Sequence, residues 1–328
     1  MGGRSCRLEY ALTTTSKGEV ADRLGLDRLR LPVITAPMFL VSGPELVISA
    51  CRAGLLGAFP AANARDAQGL AQWLQLIAAQ RALMPTPAPY AVNINVSPGR
   101  YADQSGIVGA CRDARVPLVI TSVGDPSAMT KAVHEWGGVV FHDVTTVRHA
   151  EKAAEAGVDG LILVCNGAGG HSGTASAFSF LPRVRQFFDK TIVLAGGIAT
   201  GRAILAARAL GADLVYMGTR FIASAESLAS PAYKQSVVDS DLKDVLFTAA
   251  ISGLPANFLR QSIASAGLNP DHLPRSVGSA TTPLPEGIKA WKHIWSAGQA
   301  VALIDSVPPV SEIVDSLLQE YRDACSRL

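Results

Sequence analysis

Eight short apolar runs, separated by segments of helical period and confined to the first two thirds of the chain, restrict the possible folds more than any other feature of this sequence. They occupy 32–38, 55–60, 90–95, 117–123, 139–144, 160–165, 191–195 and 214–217. Runs of this kind, rich in β-branched residues and lacking polar alternation, suit strands buried on both faces, as in a parallel sheet covered by helices. Eight such strands close into a TIM, or (β/α)8, barrel; an open doubly wound sheet is the alternative. Two helices between them carry clear end signals. TTVRHAEKAAEAG opens on Thr145 or Thr146 and stops at Gly157, and TGRAILAARALG opens on Thr200 and stops at Gly211.

A barrel takes about 250 residues, so a chain of 328 has room for a further element. The βα rhythm breaks after Phe221, and the chain ends in the helical IVDSLLQEYRDACSRL. The expected organisation is an α/β barrel with the cofactor site over 1–222, a small, mainly helical cap inserted after strand eight over 223–288, and a helical segment over 289–328 that returns to the barrel. PRSVGSATTPLPEG, at 274–287, reads as an ordered loop or a lid.

Composition narrows the function classes. With 48% hydrophobic residues the chain suits a large buried core, and with 29 basic against 27 acidic residues it has no electrostatic footprint for nucleic acid. The five cysteines (Cys6, Cys51, Cys111, Cys165, Cys325) lack CxxC spacing, which fits a reducing compartment and argues against a zinc site. The first thirty residues have no uninterrupted apolar core, and no run of about 18 apolar residues occurs anywhere. The expectation is a cytoplasmic protein that acts on a small molecule.

CNGAGGHSG, at 165–173, is the most informative stretch, because it follows a strong strand and sets one imidazole among Gly167, Gly169, Gly170 and Gly173. Glycines let backbone approach a planar ligand closely, and the C-terminal end of a barrel strand is where such enzymes assemble their sites. His171 is therefore the candidate for acid/base work, against the plainer reading of a turn histidine bonded to backbone. AGGI at 195–198 and MGTRF at 217–221 end strands seven and eight, the standard barrel position for a phosphate, with the helix opening at Thr200 supplying its dipole. Arg220 pairs either with that phosphate or with an outer carboxylate.

Elsewhere the motifs are less specific. Pro37, in TAPM at 35–38, removes a donor and fixes a bend. Asn93 and Asn95 point the same way by strand alternation, and the mouth suits them better than the outer helices. Ser122, Asp125 and Ser127 cap a helix or face the mouth. His142 and Asp143, adjacent in FHDVTT, face opposite sides, so one points inward; Asp143 touches a ligand or caps the next helix. His134 and His149 read as surface or packing residues. WKHIWSAGQ, at 291–299, brings Lys292, Ser296 or Gln299 back to the ligand, or is simply a buried helix start.

APM, NGAGGHSG, LAGGIATGR, MGTRF and WSAGQ, in that order along the βα alternation, resemble the nitronate monooxygenases, formerly called 2-nitropropane dioxygenases. The resemblance runs from about Pro32 to Gln299. It implies an FMN-dependent oxidoreductase with Ala36, Pro37, Met38 and Asn95 along the flavin ring. Gly196, Gly197, Gly218 and Thr219 then hold the phosphate, with Ala195, Gly169, Gly170, Asp143 and Gln299 also at cofactor-binding positions. His171 matches the family's catalytic histidine, which removes the α-proton of a neutral nitroalkane in some members and assists a nitronate in others. The nitronate gives one electron to the flavin, and dioxygen completes the oxidation. Two departures stand out: Asp143 lies where several relatives carry a lysine near the flavin, and Cys165 and Asn166 replace a glutamate before the glycines. A carboxylate near the ring opposes an anionic reduced flavin unless it is protonated or turned away.

The resemblance implies a small-molecule substrate with dioxygen as partners, no nucleic acid and no membrane, and leaves a homodimer open. Two rival functions remain: an NAD(P)H-dependent flavin reductase acting on quinones or enoyl thioesters, and a noncatalytic flavin-binding protein. A serine hydrolase would need G-x-S-x-G, which G-H-S-G-T lacks, and a Rossmann site would need G-x-G-x-x-G early in the chain.

Overall fold

A computed structural model of the chain describes residues 15–97, 104–273 and 281–327. All eight expected strands are present: β1 (Val33–Thr35), β2 (Leu56–Pro60), β3 (Tyr90–Asn95), β4 (Leu118–Ser122), β5 (Val139–Val144) and β6 (Gly160–Val164), then β8 (Thr191–Ala195) and β9 (Leu214–Met217), with a two-residue strand β7 (Gly170–His171) between. β1 to β6, β8 and β9 pair in parallel, and β9 returns to β1, closing a TIM barrel and excluding the open sheet.

β2, β6 and β8 are buried along their whole length because one face meets the barrel interior and the other the helices. The interior is filled by side chains. A Cβ at Gly160 would lie 2.5 Å from the ring of Phe141, its register partner on β5, so the glycine leaves space that the phenyl group occupies.

Helices follow in order: α1 (Thr15–Leu24), α2 (Pro44–Arg52), α3 (Ala67–Ala82), α4 (Gln104–Asp113), α5 (Ser127–Glu135), α6 (Val147–Glu155), α7 (Ala177–Arg185), α8 (Gly201–Ala209), α9 (Thr219–Ile222), α10 (Pro231–Val238), α11 (Arg260–Ser265) and α12 (Val310–Cys325). The end signals act as read: Thr146 accepts from the His149 amide, Thr200 from the Ala203 amide, and Gly157 and Gly211 take positive φ just past their helices. α12 packs against both α8 and α2, so the final segment supplies the helix that completes the ring. At Gly201 a Cβ would lie 2.2 Å from the Leu317 carbonyl oxygen, which is how closely α8 and α12 meet.

Between β9 and α12 the chain forms the cap. It holds the short helices α10 and α11, together with a sheet that the sequence reading did not anticipate. β10 (Val245–Thr248) and β11 (Ala256–Leu259) form an antiparallel pair, and β11 also pairs with β7 from the barrel rim. Leu246, Phe258, Ile263 and Ile294 make a separate small core there. Of the suspected lid at 274–287, residues 274–280 lie outside the described residues. Among the described residues no helix is long and apolar enough to cross a membrane.

Candidate active site

The C-terminal ends of the barrel strands open into a cavity of about 1400 Å3, walled on one side by the cap. Its lining includes Ala36, Pro37, Met38, Asn95, Asp143, Gly169, Gly170, His171, Ala195, Gly196, Gly197, Gly218 and Thr219, all of the proposed site residues but one. Gln299 is the exception. It is exposed, and its backbone amide donates to the Gly167 carbonyl at 2.9 Å, bracing the glycine loop from behind.

That loop is held by the cap and by the returning 291–299 segment. His171 and Gly170 pair with Ala256 and Asn257 of β11. The Asn257 amide group donates to the Ala168 carbonyl at 2.7 Å, the Gly170 amide donates to Ser296 Oγ at 2.7 Å, and Ser296 Oγ donates to the Asn257 carbonyl at 2.7 Å. Thr219 Oγ1 accepts from the Gly298 amide at 2.9 Å, tying the rim of β9 to the same segment. Only glycine fits at 298, where a Cβ would lie 2.3 Å from the Gly167 carbonyl oxygen and 2.6 Å from the Gly169 nitrogen. The His171 ring is half-buried and meets Trp291 edge to face, with centroids 5.2 Å apart. Trp291 takes a positive φ of 67°, a strained backbone compensated by its packing on His171 and Phe258.

At the strand seven and eight rim, Gly197 has a φ of 68° and open space where a side chain would stand, so its backbone faces the cavity directly. The helix dipole proposed for this place is otherwise engaged. The first amide of α8, at Gly201, donates to the Glu320 carboxylate of α12 at 2.7 Å, and Thr200 takes the Ala203 amide. An anion from the chain itself already satisfies that helix terminus. Arg220 is buried and is not part of the cavity wall; it donates to the carbonyls of Ala223 and Ser306, and the carboxylates of Asp305 and Glu320 favour its charge.

The strand one loop is fixed by Asn63, whose amide group donates to the carbonyls of Met38 and Ser42 and accepts from the Leu40 amide. Asn93 donates to Ser122 Oγ at 3.2 Å, and both line the mouth, as does Asn95. Asp125 accepts from the Ser127 amide in the first turn of α5, so its capping role is real, although it too reaches the cavity wall. Lys292 is not part of that wall, whereas Ser296 is.

His142 and Asp143 part as alternation requires. Nδ1 of His142 shares a hydrogen bond of 2.8 Å with Thr121 Oγ1, and burial holds its pKa down to about 4. Asp143 points into the mouth, where burial pushes its carboxyl up to about 7. Its Oδ1 is buried without a hydrogen-bond partner, as is the Tyr216 hydroxyl. Tyr216 was not singled out in the sequence; its signal is a polar-tipped aromatic inside an apolar run, two residues before Gly218. Asn257 was missed as well, because its role depends on a strand pairing far away in sequence. Cys165 is buried, its thiol pushed up to about 12, and is no nucleophile.

A family model described as nitronate monooxygenase matches residues 24–320. A nitronate monooxygenase of Paraburkholderia phytofirmans is 29% identical over 96% of this chain and 98% of its own length. A (3aS,4S,5R,7aS)-5-hydroxy-7a-methyl-1-oxo-octahydro-1H-indene-4-carboxyl-CoA dehydrogenase of Rhodococcus jostii is 24% identical over 88% of this chain and 92% of its own. Among solved structures, FabK from Thermotoga maritima superposes with a TM-score of 0.74 at 27% identity, covering 94% of this chain and 97% of that one. A nitroalkane oxidase from Streptomyces ansochromogenes shares the fold with a TM-score of 0.78 at 24% identity, over 93% of this chain and all of that one.

Proposed function

The chain belongs to the nitronate monooxygenase family and is a flavin-dependent oxidoreductase, and from that premise we propose that its flavin is FMN and that it oxidises alkyl nitronates, or nitroalkanes, with dioxygen. The residues present fit the cofactor: the cavity offers open backbone at Gly197, and it has two buried polar atoms, on Asp143 and Tyr216, that no protein group satisfies. Gly196, Gly197, Gly218 and Thr219 hold the phosphate through backbone amides, and Ala36, Pro37, Met38 and Asn95 line the ring. Bound there, FMN would supply the acceptor for the substrate's electrons.

The observation that carries this reading is the placement of His171. Its imidazole is held at the cavity edge by backbone pairing to β11 and by the edge of Trp291, and an imidazole so placed accepts the α-proton of a nitroalkane or, protonated, steadies the charge of a nitronate. Asn257 and Ser296 keep the loop in register, so the ring does not wander.

A second reading, NAD(P)H-dependent reduction of quinones or enoyl thioesters, is favoured by the cavity size, since a pocket of about 300–1,000 Å3 suffices for a drug-sized ligand. The CoA-thioester dehydrogenase among the relatives points the same way. Anaerobic mixing separates the two. Bleaching of the flavin by propionate 3-nitronate or nitroethane, with none at micromolar NADH, supports the monooxygenase; rapid bleaching by NADH supports the reductase.

A further inference from the structure

We propose that Asp143 holds the flavin as an uncharged carboxylic acid, donating a hydrogen bond to the ring beside the Tyr216 hydroxyl, and that cofactor binding is thereby linked to one proton; this rests on the flavin reading above. Asp143 on β5 and Tyr216 on β9 both point into the mouth, and both end in a buried polar atom that no protein group satisfies. Unpartnered buried polar atoms cost too much to be left so without a use, and two of them on one cavity wall call for a ligand with hydrogen-bonding edges. An oxidised flavin ring carries such edges in its carbonyl oxygens and ring nitrogens.

The surroundings of Asp143 favour the acid form. The inward positions flanking it are Ile120 and Ser122 on β4 and Ile162 and Val164 on β6, so its neighbouring strands present it no cation. Tyr216 is the titratable group that faces it across the mouth, and burial, with the Asp143 carboxyl beside it, keeps the phenol protonated. His142 lies on the opposite face of β5, bonded to Thr121. The other titratable groups on the cavity wall are His171 on β7, Tyr233 on α10 and, beyond the rim, Asp125, His142, His149, Lys152 and Glu155. Burial then keeps the proton on Asp143 up to a pH of about 7. Above that pH the carboxyl becomes an acceptor only and repels the acceptors of the ring, more so once reduction has made the ring electron-rich.

The test is FMN binding to apoprotein, followed by quenching of flavin fluorescence from pH 5.5 to 8.5, for the wild type and for Asp143→Asn, whose amide keeps a donor at all pH. The FMN phosphate titrates in the same range with both proteins, so the readout is the ratio of the two Kd values. The proposal expects a ratio near one below pH 6 that climbs toward about tenfold per pH unit above 7, the limit for one linked proton. A ratio constant with pH overturns it. Tyr216→Phe is expected to weaken binding at every pH while keeping the rise.

A measurement on the wild type alone covers the case in which the variant does not fold. The infrared band of the protonated carboxyl, followed against pH with and without FMN, is expected to titrate at higher pH when FMN is bound, and an unmoved midpoint overturns the proposal. FMN that binds with no such linkage removes this proposal and leaves the cofactor reading intact; a protein that takes no FMN at any pH removes both.

Discussion

The barrel wall and the cap bury apolar surface in opposite ways. Along the wall each strand pairs with the next barrel strand in the chain, and the elements that meet are those that follow one another in sequence, up to the closure of β9 on β1. The cap is assembled across distance: β7, two residues long and separated from the end of β6 by five residues, becomes the edge of a sheet only when β11 arrives, and 291–299 returns to lock both. The wall thus fixes where the strand ends lie. The cap sets the position of the His171 imidazole, so the proposed chemistry depends on the part of the molecule with the least local support.

The comparison is sharpened most by His171→Ala. Turnover should fall by about 10² to 10⁴-fold while FMN retention and thermal unfolding stay as in the wild type, because the ring contributes to the reaction and little to the wall. Equal turnover from pH 6 to 9 would break the assignment. Next comes a test of the wall. Burial favours the neutral His142 ring in the folded state, so the stability present above the unfolded pKa near 6.5 is lost as pH falls toward about 4, by about 3 kcal/mol. Urea unfolding at pH 7 and pH 4.5 should show that loss in the wild type and much less of it in His142→Gln; equal losses would remove His142 as the cause.

Asn257→Ala tests the seam between the two regions. It leaves the Ala168 carbonyl without its partner, at a cost of about 1–3 kcal/mol. Amide exchange should quicken across Gly169, Gly170 and His171 and stay unchanged in β3 to β5; uniform quickening would mean that the cap and the wall open together. The smallest effect is expected at the rim of β9. A Cβ at Gly218 meets Ala36 and Met38 at ordinary contact distances, so the first carbon of Gly218→Val fits and only its methyl groups intrude. FMN should bind about tenfold more weakly, a change of about 1.4 kcal/mol in equilibrium dialysis; undiminished loading would move the phosphate away from this rim.

What could be read in the sequence divides along the same line. All eight strands were legible because each is an apolar run with its own stops, and Thr146 and Thr200 announced their helices by short-range chemistry. His171 and the glycines around it were legible because no packing role explains a ring set among them. β10 and β11 were not, since VLFT and ANFL are four residues each and become strands only through pairing with a distant partner. The same limit hid Asn257, turned Gln299 from ligand contact to brace, and concealed that Glu320 occupies the end of α8 assigned to a phosphate. In each case the deciding partner lies elsewhere in the chain.

That α12 closes the flank between α8 and α2 has a consequence for biogenesis. A ribosome delivers every stave of the barrel by Met217, yet the groove awaiting Val314 and Leu317 stays unroofed until Val310–Cys325 has cleared the exit tunnel. A nascent chain therefore completes its ring of strands well before it can seal it, and during that interval the naked flank of α8 is open to chaperones.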